Sequence, residues 1–324
     1  MNQKIVASIS ISGEITLNLH ALNNEGGEGN QIITRQVTII DKNGQEHTVN
    51  GISGDMFKHI HAGHLINLAK EKNLPLCSNC SVFNPNRLSS GEDLGRTITN
   101  PKETADRVII DTIISSCTVD DTHGVLVTKI GTTNKNVPRK SVVEFGWTVG
   151  IPDKNNTESY IHTKLVPDAG GRGSGDAGND GQNIFHRPAN HGAYAFVCHI
   201  EAFRIGFNDI SRAYTEGVDR DKRYKAVVKS LLSTFLNPRG AMTSTQKPHI
   251  TDFKGVVTVS TTSTPAPTIS PLNPDYRTQI KKISESLNLI EGKVDAVGVY
   301  EFDSIGSLSE ILKDLINSSP YKIA

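Results

Sequence analysis

"KIVASISISGEITLNLHAL", residues 4–22, alternates apolar and polar side chains along its length. Ile5, Ala7, Ile9, Ile11, Ile15, Leu17 and Leu19 share one parity, and Ser8, Ser10, Ser12, Glu14, Thr16, Asn18 and His20 hold the other. A period of two over such a stretch predicts a long half-buried strand with one polar face. Gly13 marks a bulge or bend within it. The strand runs into "NNEGGEGN" (residues 23–30), which has turn composition. Beyond it, "QVTIIDKNGQEHTVNGI" (residues 36–52) reads as two short strands joined at Asn43-Gly44, a strong hairpin signal.

The next stretch, "GISGDMFKHIHAGHL" (residues 51–65), carries three histidines and a lysine behind a Gly-Ile-Ser-Gly turn. Ser53 can cap a helix running from about Asp55 to Lys72, with Asp55 in its first turn. At about 100° per residue, His59 and His61 point to nearly opposite sides. No two of the three histidines have the i,i+4 spacing that offers two ligands to one zinc. His61 and His64 are i,i+3, but no third ligand follows. His64 falls beside Met56, Phe57, Ile60 and Leu68, which predicts a packed core histidine. Lys58 and His61 fall on the opposite, more polar side. Free N–H groups of a first turn, joined by a lysine, attract phosphate. Asp55 opposes that locally, and the plain alternative is a solvated lysine on an ordinary helix.

Farther along, residues 74–105 are irregular and polar, and residues 107–150 mix strand and loop. "TESYIHTKLVP" (157–167) reads as a strand before a glycine run at 170–181. "YAFVCHIEAFRIGF" (194–207) reads as a buried strand and "DRDKRYKAVVKSLLSTFL" (219–236) as a basic amphipathic helix. "STPAPTISPLNP" (263–274) reads as a linker or long loop. A helix, a strand and a helix close the chain. Regular βα elements thus lie at the two ends, with about 120 polar, irregular residues between them. That pattern suits one α+β domain with a large insertion.

Composition narrows the function classes. Lys plus Arg equals Asp plus Glu, at 34 each, which counts against a simple basic nucleic-acid binder. The charge is uneven, however: Ala202 to Ile250 holds nine bases against four acids, and Glu285 onward holds seven acids against three bases. Four cysteines are too few for a disulfide scaffold, so a reducing cytoplasm is expected. The N-terminus lacks a signal-peptide core, and no apolar run approaches the roughly 20 residues of a membrane span. A soluble cytoplasmic protein without membrane contact is the expectation.

The chemical motifs are sparse. "CSNC" (residues 77–80) is half of a zinc site, which Cys117 and His123 could complete in space; two free thiols in a loop is the alternative. "GSGDAG" (173–178) matches G-x-G-x-x-G, but neither a strand before it nor a helix after it is legible, which makes it a flexible loop beside Arg172. Asp120-Asp121 is a carboxylate pair that can hold a divalent ion or merely sit in a solvated turn. No phosphate-binding loop, zinc-protease or serine-nucleophile motif occurs, so the motifs name no reaction.

The order of features does carry a resemblance. A first strand ending in "LNLHALNNEGGEGN", a short β segment and then "GISGDMFKHIHA" resemble the DevR-type backbone subunits of CRISPR Cascade complexes, the Cas seven family. The match is most specific over residues 5–65 and looser at "YAFVCHIEAFRIGF" and "FLNPRGAMTS". The resemblance implies an α+β fold with a modified RNA-recognition-motif (ferredoxin-like) core and large finger and thumb insertions. Residues 1–73 and 191–324 would form the palm, 74–190 the fingers, and 236–258 a thumb arm. It implies a non-catalytic subunit that holds guide RNA (crRNA), stacks head to tail with copies of itself, and meets other Cascade subunits and a target nucleic acid. No cofactor or metal is implied. Carried onto this chain, the RNA-binding residues would be Asn18, His20, Ser53, Gly54, Lys58, His61, Arg172, Arg239, Met242 and Thr243, with Lys58 on a guide phosphate.

One departure matters: the first strand has no aromatic residue, which argues against base stacking on that sheet and for backbone contacts instead. The rival reading is a metal-dependent nuclease acting on RNA through Asp120 and Asp121 or the histidines.

Overall fold

In the computed structural model, which describes residues 5–28, 31–90, 92–165 and 182–323, the alternating N-terminal segment forms strand β1 (Ser8–His20). Next come β2 (Gln36–Ile40) and β3 (Glu46–Ile52), which pair antiparallel across the Asn43-Gly44 turn as their sequence predicts. Helix α1 (Gly54–Glu71) follows at once. The polar stretch after it forms short helices rather than loop: α2 (Ser78–Ser81), α3 (Asp106–Ser116) and α4 (Thr118–His123). A hairpin of Val125–Ile130 and Thr133–Arg139 leads into β4 (Val143–Phe145), β5 (Thr148–Leu165) and β6 (Gln182–Ile200). The chain then runs through α5 (Arg220–Leu236), β7 (His249–Ser260), α6 (Tyr276–Ile290), β8 (Val297–Phe302) and α7 (Ile305–Ile316).

Strand β1 is the spine of the main sheet. It pairs antiparallel with β7 on one side and β6 on the other, and β6 pairs in turn with β4. Elements β1, α1, β4, β6, α5 and β7 therefore run β-α-β-β-α-β, with spatial order β7-β1-β6-β4. Strand β8 extends the sheet beyond β7, and β5 and β3 extend it beyond β6. Strand β4 and the start of β5 belong to this sheet although both lie inside the stretch read as an insertion.

Helices α1 and α5 pack against each other. The odd residues of β1 face a core with them: Ile9, Ile11, Ile15 and Leu17 are buried beside Phe57, Leu231 and Phe235. Phe196 sits at the centre, its ring edge-on to Phe57, Phe235 and Phe253 with centroids 5.3, 5.2 and 5.9 Å away. Burying each such ring contributes about 1.5–3 kcal/mol.

The polar parity of β1 is also covered over its first half. Ser8, Ser10 and Ser12 are buried. The Pro/Ser/Thr segment read as a linker lies across them: Ser8 Oγ accepts the Ala266 N–H at 2.9 Å, and Ser10 Oγ donates to the Ala266 carbonyl at 2.9 Å. The small hydroxyls of Ser8 and Ser10 satisfy backbone groups there without opening a gap, whereas Ser12 Oγ is buried with no partner among the described residues.

The second half of β1 departs from simple alternation. Leu19 adopts φ +54° and is 55% exposed, while His20 is fully buried. Against β6, His20 pairs with Asn190 but Leu17 pairs with Gly192, so β1 carries an extra residue at this point. A bulge of one residue exchanges the two faces. It turns Leu19 outward and His20 inward, the reverse of the sequence expectation.

Among the described residues no helix is long and apolar enough to cross a membrane.

Candidate nucleic-acid interface

The entry to α1 is fixed by its own residues. Ser53 has extended backbone, and its Oγ accepts the Met56 N–H at 3.2 Å as the helix cap. The Ser53 N–H donates to Asn23 Oδ1 at 2.7 Å. Gly54 lies against β4, where a Cβ would come within 2.2 Å of the Phe145 carbonyl oxygen. Both residues are buried, and their side-chain identities are explained by capping and close packing.

Lys58, one turn on, is half-buried and lines a cleft of about 220 Å³ with Asp55, His59, Phe83, Asn84 and Arg87. Burial lowers its pKa, and the neighbouring Arg87 lowers it further, against the opposing pull of Asp55 and Glu144. Among the described residues neither Lys58 nor Arg87 has a carboxylate within ion-pair distance. Arg87 is held by two carbonyls instead, donating to Gly124 O at 2.7 Å and His123 O at 3.5 Å. Two cations thus share a partly desolvated cleft with no carboxylate in ion-pair contact, an arrangement that favours an anion, and Asp55 on the same cleft opposes it locally.

The cleft is bounded by an aromatic pair. Phe83, 42% exposed with φ +58°, packs over Gly63 and sets its ring centroid 4.7 Å from that of His59. On the other side of this pair a second cleft, of about 290 Å³, is lined by His59, Asn67, Lys70, Phe83 and Arg239. The two clefts along α1 thus gather Lys58, Arg87, Lys70 and Arg239 around His59 and Phe83. Sequence reasoning missed Phe83 and Arg87. The available signal was an aromatic and an arginine together in the otherwise polar "VFNPNR".

The remaining expected residues divide. Arg239 is exposed on the second cleft. Gly240 abuts Leu22 and Met56, which seats the 239–243 turn beside the start of α1. Met242 holds φ +56° and is half-buried, and Thr243 Oγ1 donates to the Gly240 carbonyl at 3.0 Å. Asn18 is partly exposed near the β1 bulge, its Nδ2 3.5 Å from Thr251 Oγ1, and is not among the residues lining either cleft. Arg172 and the glycine run lie outside the described residues.

Two placements are corrected. His20 is fully buried by the bulge. His61 does not share a polar face with Lys58: it is fully buried, with Nε2 donating to the Val227 carbonyl at 3.1 Å and Nδ1 2.8 Å from His123 Nε2. Helix α5 covers that side of α1, so the helical wheel's polar side is an interior contact. His64 is only half-buried and bonds to the Asn237 carbonyl at 2.9 Å.

The acidic pair is not a solvent-facing metal holder. Asp120 and Asp121 are both fully buried. Asp121 is clamped by Arg139 and Arg223, each at 2.8 Å, and also accepts the Gly206 N–H. The nuclease reading loses its carboxylates.

The family model described as "CRISPR-associated negative auto-regulator DevR/Csa2" matches residues 11–281. A relative from Methanocaldococcus jannaschii, described as "CRISPR-associated protein Cas7/Cst2/DevR", is 24% identical over 325 residues, covering 95% of this chain and 98% of its own. Among solved structures, a chain of a CRISPR RNA-guided surveillance complex overlaps with a TM-score of 0.45 at 12% identity, covering 97% of this chain and 94% of that one. Csc2 of Thermofilum pendens overlaps with a TM-score of 0.39 at 13% identity, covering 98% and 87%.

Proposed function

The chain belongs to the DevR/Csa2 family of CRISPR-associated proteins, and from that premise we propose that it is a Cas7-type backbone subunit that holds a guide RNA within an RNA-guided surveillance complex. The βαββαβ order with spatial order β7-β1-β6-β4 supports reading the sheet, with α1 and α5 on one face, as an RNA-recognition-like palm. Strand β4 belongs to that palm on this reading. The fingers then divide into the helical segment from residue 74 to the Thr133–Arg139 strand and the long β5–β6 hairpin; of the 236–258 stretch read as a thumb arm, only 236–248 is left for it, because β7 is a palm strand.

The observation that carries the proposal is the Lys58–Arg87 pair, two cations on one cleft with no carboxylate ion pair among the described residues. A phosphate supplies the missing charge, and a cleft that recognises phosphate reads no sequence. Phe83 offers a face on which a base stacks irrespective of its identity. Copies of the chain repeat the same contacts head to tail along one guide, beside the other Cascade subunits, and leave the guide bases to pair with a target nucleic acid.

The test is fluorescence anisotropy of nucleic-acid-free protein with several unrelated single-stranded RNAs at rising salt. Similar affinities that fall together as salt rises are expected. Absence of binding at low salt overturns the proposal.

A further inference from the structure

Four residues from two separate segments converge beneath the Lys58 cleft. Cys77 Sγ, Cys80 Sγ, Cys117 Sγ and a carboxylate oxygen of Asp120 all lie within 4.8 Å of one another, and all four residues are buried. We propose that they bind one structural zinc ion.

The two halves are built alike. Cys77 precedes α2 with Cys80 three residues on, and Cys117 precedes α4 with Asp120 three residues on. In each half the first sulfur accepts the N–H of the third following residue: Cys80 N to Cys77 Sγ at 3.3 Å, and Asp120 N to Cys117 Sγ at 3.5 Å. Such bonds favour thiolate over thiol, the form a metal requires. The Thr118 N–H donates to the Pro75 carbonyl at 2.8 Å and ties the halves together.

The donor spacing suits a tetrahedral ion. Zinc–sulfur bonds of about 2.3 Å and zinc–oxygen bonds of about 2.1 Å place the donors of a tetrahedron about 3.6–3.8 Å apart. Asp120 Oδ2 lies 3.3 Å from Cys77 Sγ and 3.7 Å from Cys80 Sγ.

Asp120 supplies an independent argument. It is fully buried, and among the described residues its Oδ1 has no hydrogen-bond partner and no cation pairs with it. A buried carboxylate facing three thiols, with Arg87 nearby but not in ion-pair contact, is costly unless a positive ion joins them. The neighbouring Asp121 shows the alternative solution, two arginines, and Asp120 has none. Three sulfurs favour a thiophilic ion over magnesium or calcium, and four protein donors in a buried, closed set match a structural zinc rather than a catalytic one.

The ion would do more than hold two short helices. Cys80 lines the cleft, and three residues later the chain presents Phe83. Helix α4 carries the chain on from Asp120 to its end at His123, and the His123 and Gly124 carbonyls hold Arg87. The site therefore fixes one wall of the cleft, though its existence does not depend on what that cleft binds.

The test is elemental analysis of the full chain, purified without chelator and freed of loosely held metal. Close to one equivalent of zinc per chain is expected, falling at least tenfold in Cys117→Ser. Asp120→Cys, which keeps four donors, should retain the ion. Cobalt substitution should give the visible absorption of a tetrahedral thiolate centre in both the native chain and Asp120→Cys. If Cys117→Ser does not fold, the native stoichiometry, the cobalt spectrum and Asp120→Cys still decide. A folded native chain with no metal that also fails to take up zinc overturns the proposal, as does a Cys77–Cys80 disulfide in protein purified under reducing conditions.

Discussion

His20 Nε2 lies 2.9 Å from the Tyr194 hydroxyl, with both side chains fully buried. The hydroxyl donates onward to Asn50 Oδ1 at 3.0 Å, so it accepts from the His20 Nε2–H. His20 Nδ1 faces the Leu22 N–H at 3.4 Å. The neutral Nε2–H tautomer is satisfied at both nitrogens, and a proton on Nδ1 would point at a donor. Burial, with a further push from His191, takes the His20 pKa down to about 3.

Stability should therefore depend on pH below neutrality. In the unfolded chain His20 titrates near 6.5, whereas in the fold it stays neutral to about 3. The unfolded state takes up the proton first, so stability is full above 6.5 and falls between 6.5 and 3, by up to about 1.4 kcal/mol per pH unit for one such group. His61, lowered to about 4 by burial, acts in the same direction. Urea unfolding from about pH 7.5 to about pH 5 should show the decline. His20→Asn should lower stability at neutral pH but flatten the acid slope. An unchanged slope would remove His20 from the account.

The cleft residues make separable contributions to RNA binding. Lys58→Ala and Arg87→Ala should each weaken every guide sequence alike and reduce the slope of log affinity against log salt by about one. Phe83→Ala should cost about 1–3 kcal/mol of affinity while leaving that slope in place. Anisotropy titrations at several salt concentrations distinguish the two. A salt slope unchanged in Lys58→Ala would exclude a phosphate contact there.

Much of this was legible where local pattern and tertiary need agree. The alternation through Leu17 placed β1, the Asn43-Gly44 turn placed the hairpin, and Ser53 placed the start of α1, because each is decided within a few residues. Leu19 and His20 were not legible, since a bulge depends on how β6 and β7 register against β1. His61 was misplaced because a helical wheel shows which residues share a side but not which sides are covered, and α5 covers a second one. The polar strand face looked solvated because the segment strapped over it lies some 250 positions away in sequence. Phe83 and Arg87 gain meaning only beside Lys58. Cys77 and Cys80 suggested half a metal site, but Asp120 as the fourth donor required the fold, since His123 had been the expected one.

Gly54→Ala should be strongly destabilising. Its φ is not the cause; the added methyl would meet the Phe145 carbonyl oxygen at 2.2 Å and the carbonyl carbon at 3.0 Å. Both obstacles are backbone, so relief requires separating α1 from β4. A loss of about 1–3 kcal/mol or more is expected for such overpacking, measurable as a lowered unfolding midpoint. Gly63→Ala is the contrast, because its new methyl would meet only the Phe83 ring, at 3.3 Å. That ring is exposed and can yield, so Gly63→Ala should change stability little and disturb the Phe83–His59 stack instead.

Asp121→Ala separates the nuclease reading from a structural one. The carboxylate is fully buried, accepts from Arg139 and Arg223 at 2.8 Å each, and caps the Gly206 N–H. Arg139 also donates to the Phe207 and Arg204 carbonyls at 2.7 and 2.8 Å, and Arg223 to the Ile114 carbonyl at 2.7 Å. Removing Asp121 leaves two buried guanidinium groups without their shared anion, apart from the Asp209 contact to Arg139. The cost of breaking such a network is about 3–5 kcal/mol, enough to unfold a domain of ordinary stability. Arg223→Met should cost less, because Asp121 keeps Arg139 and the apolar side chain fills part of the vacated space. Thermal unfolding should rank native, Arg223→Met and Asp121→Ala in that order. A folded Asp121→Ala that had lost a magnesium-dependent RNA cleavage present in the native chain would instead make Asp121 catalytic, and the buried clamp would then need another explanation.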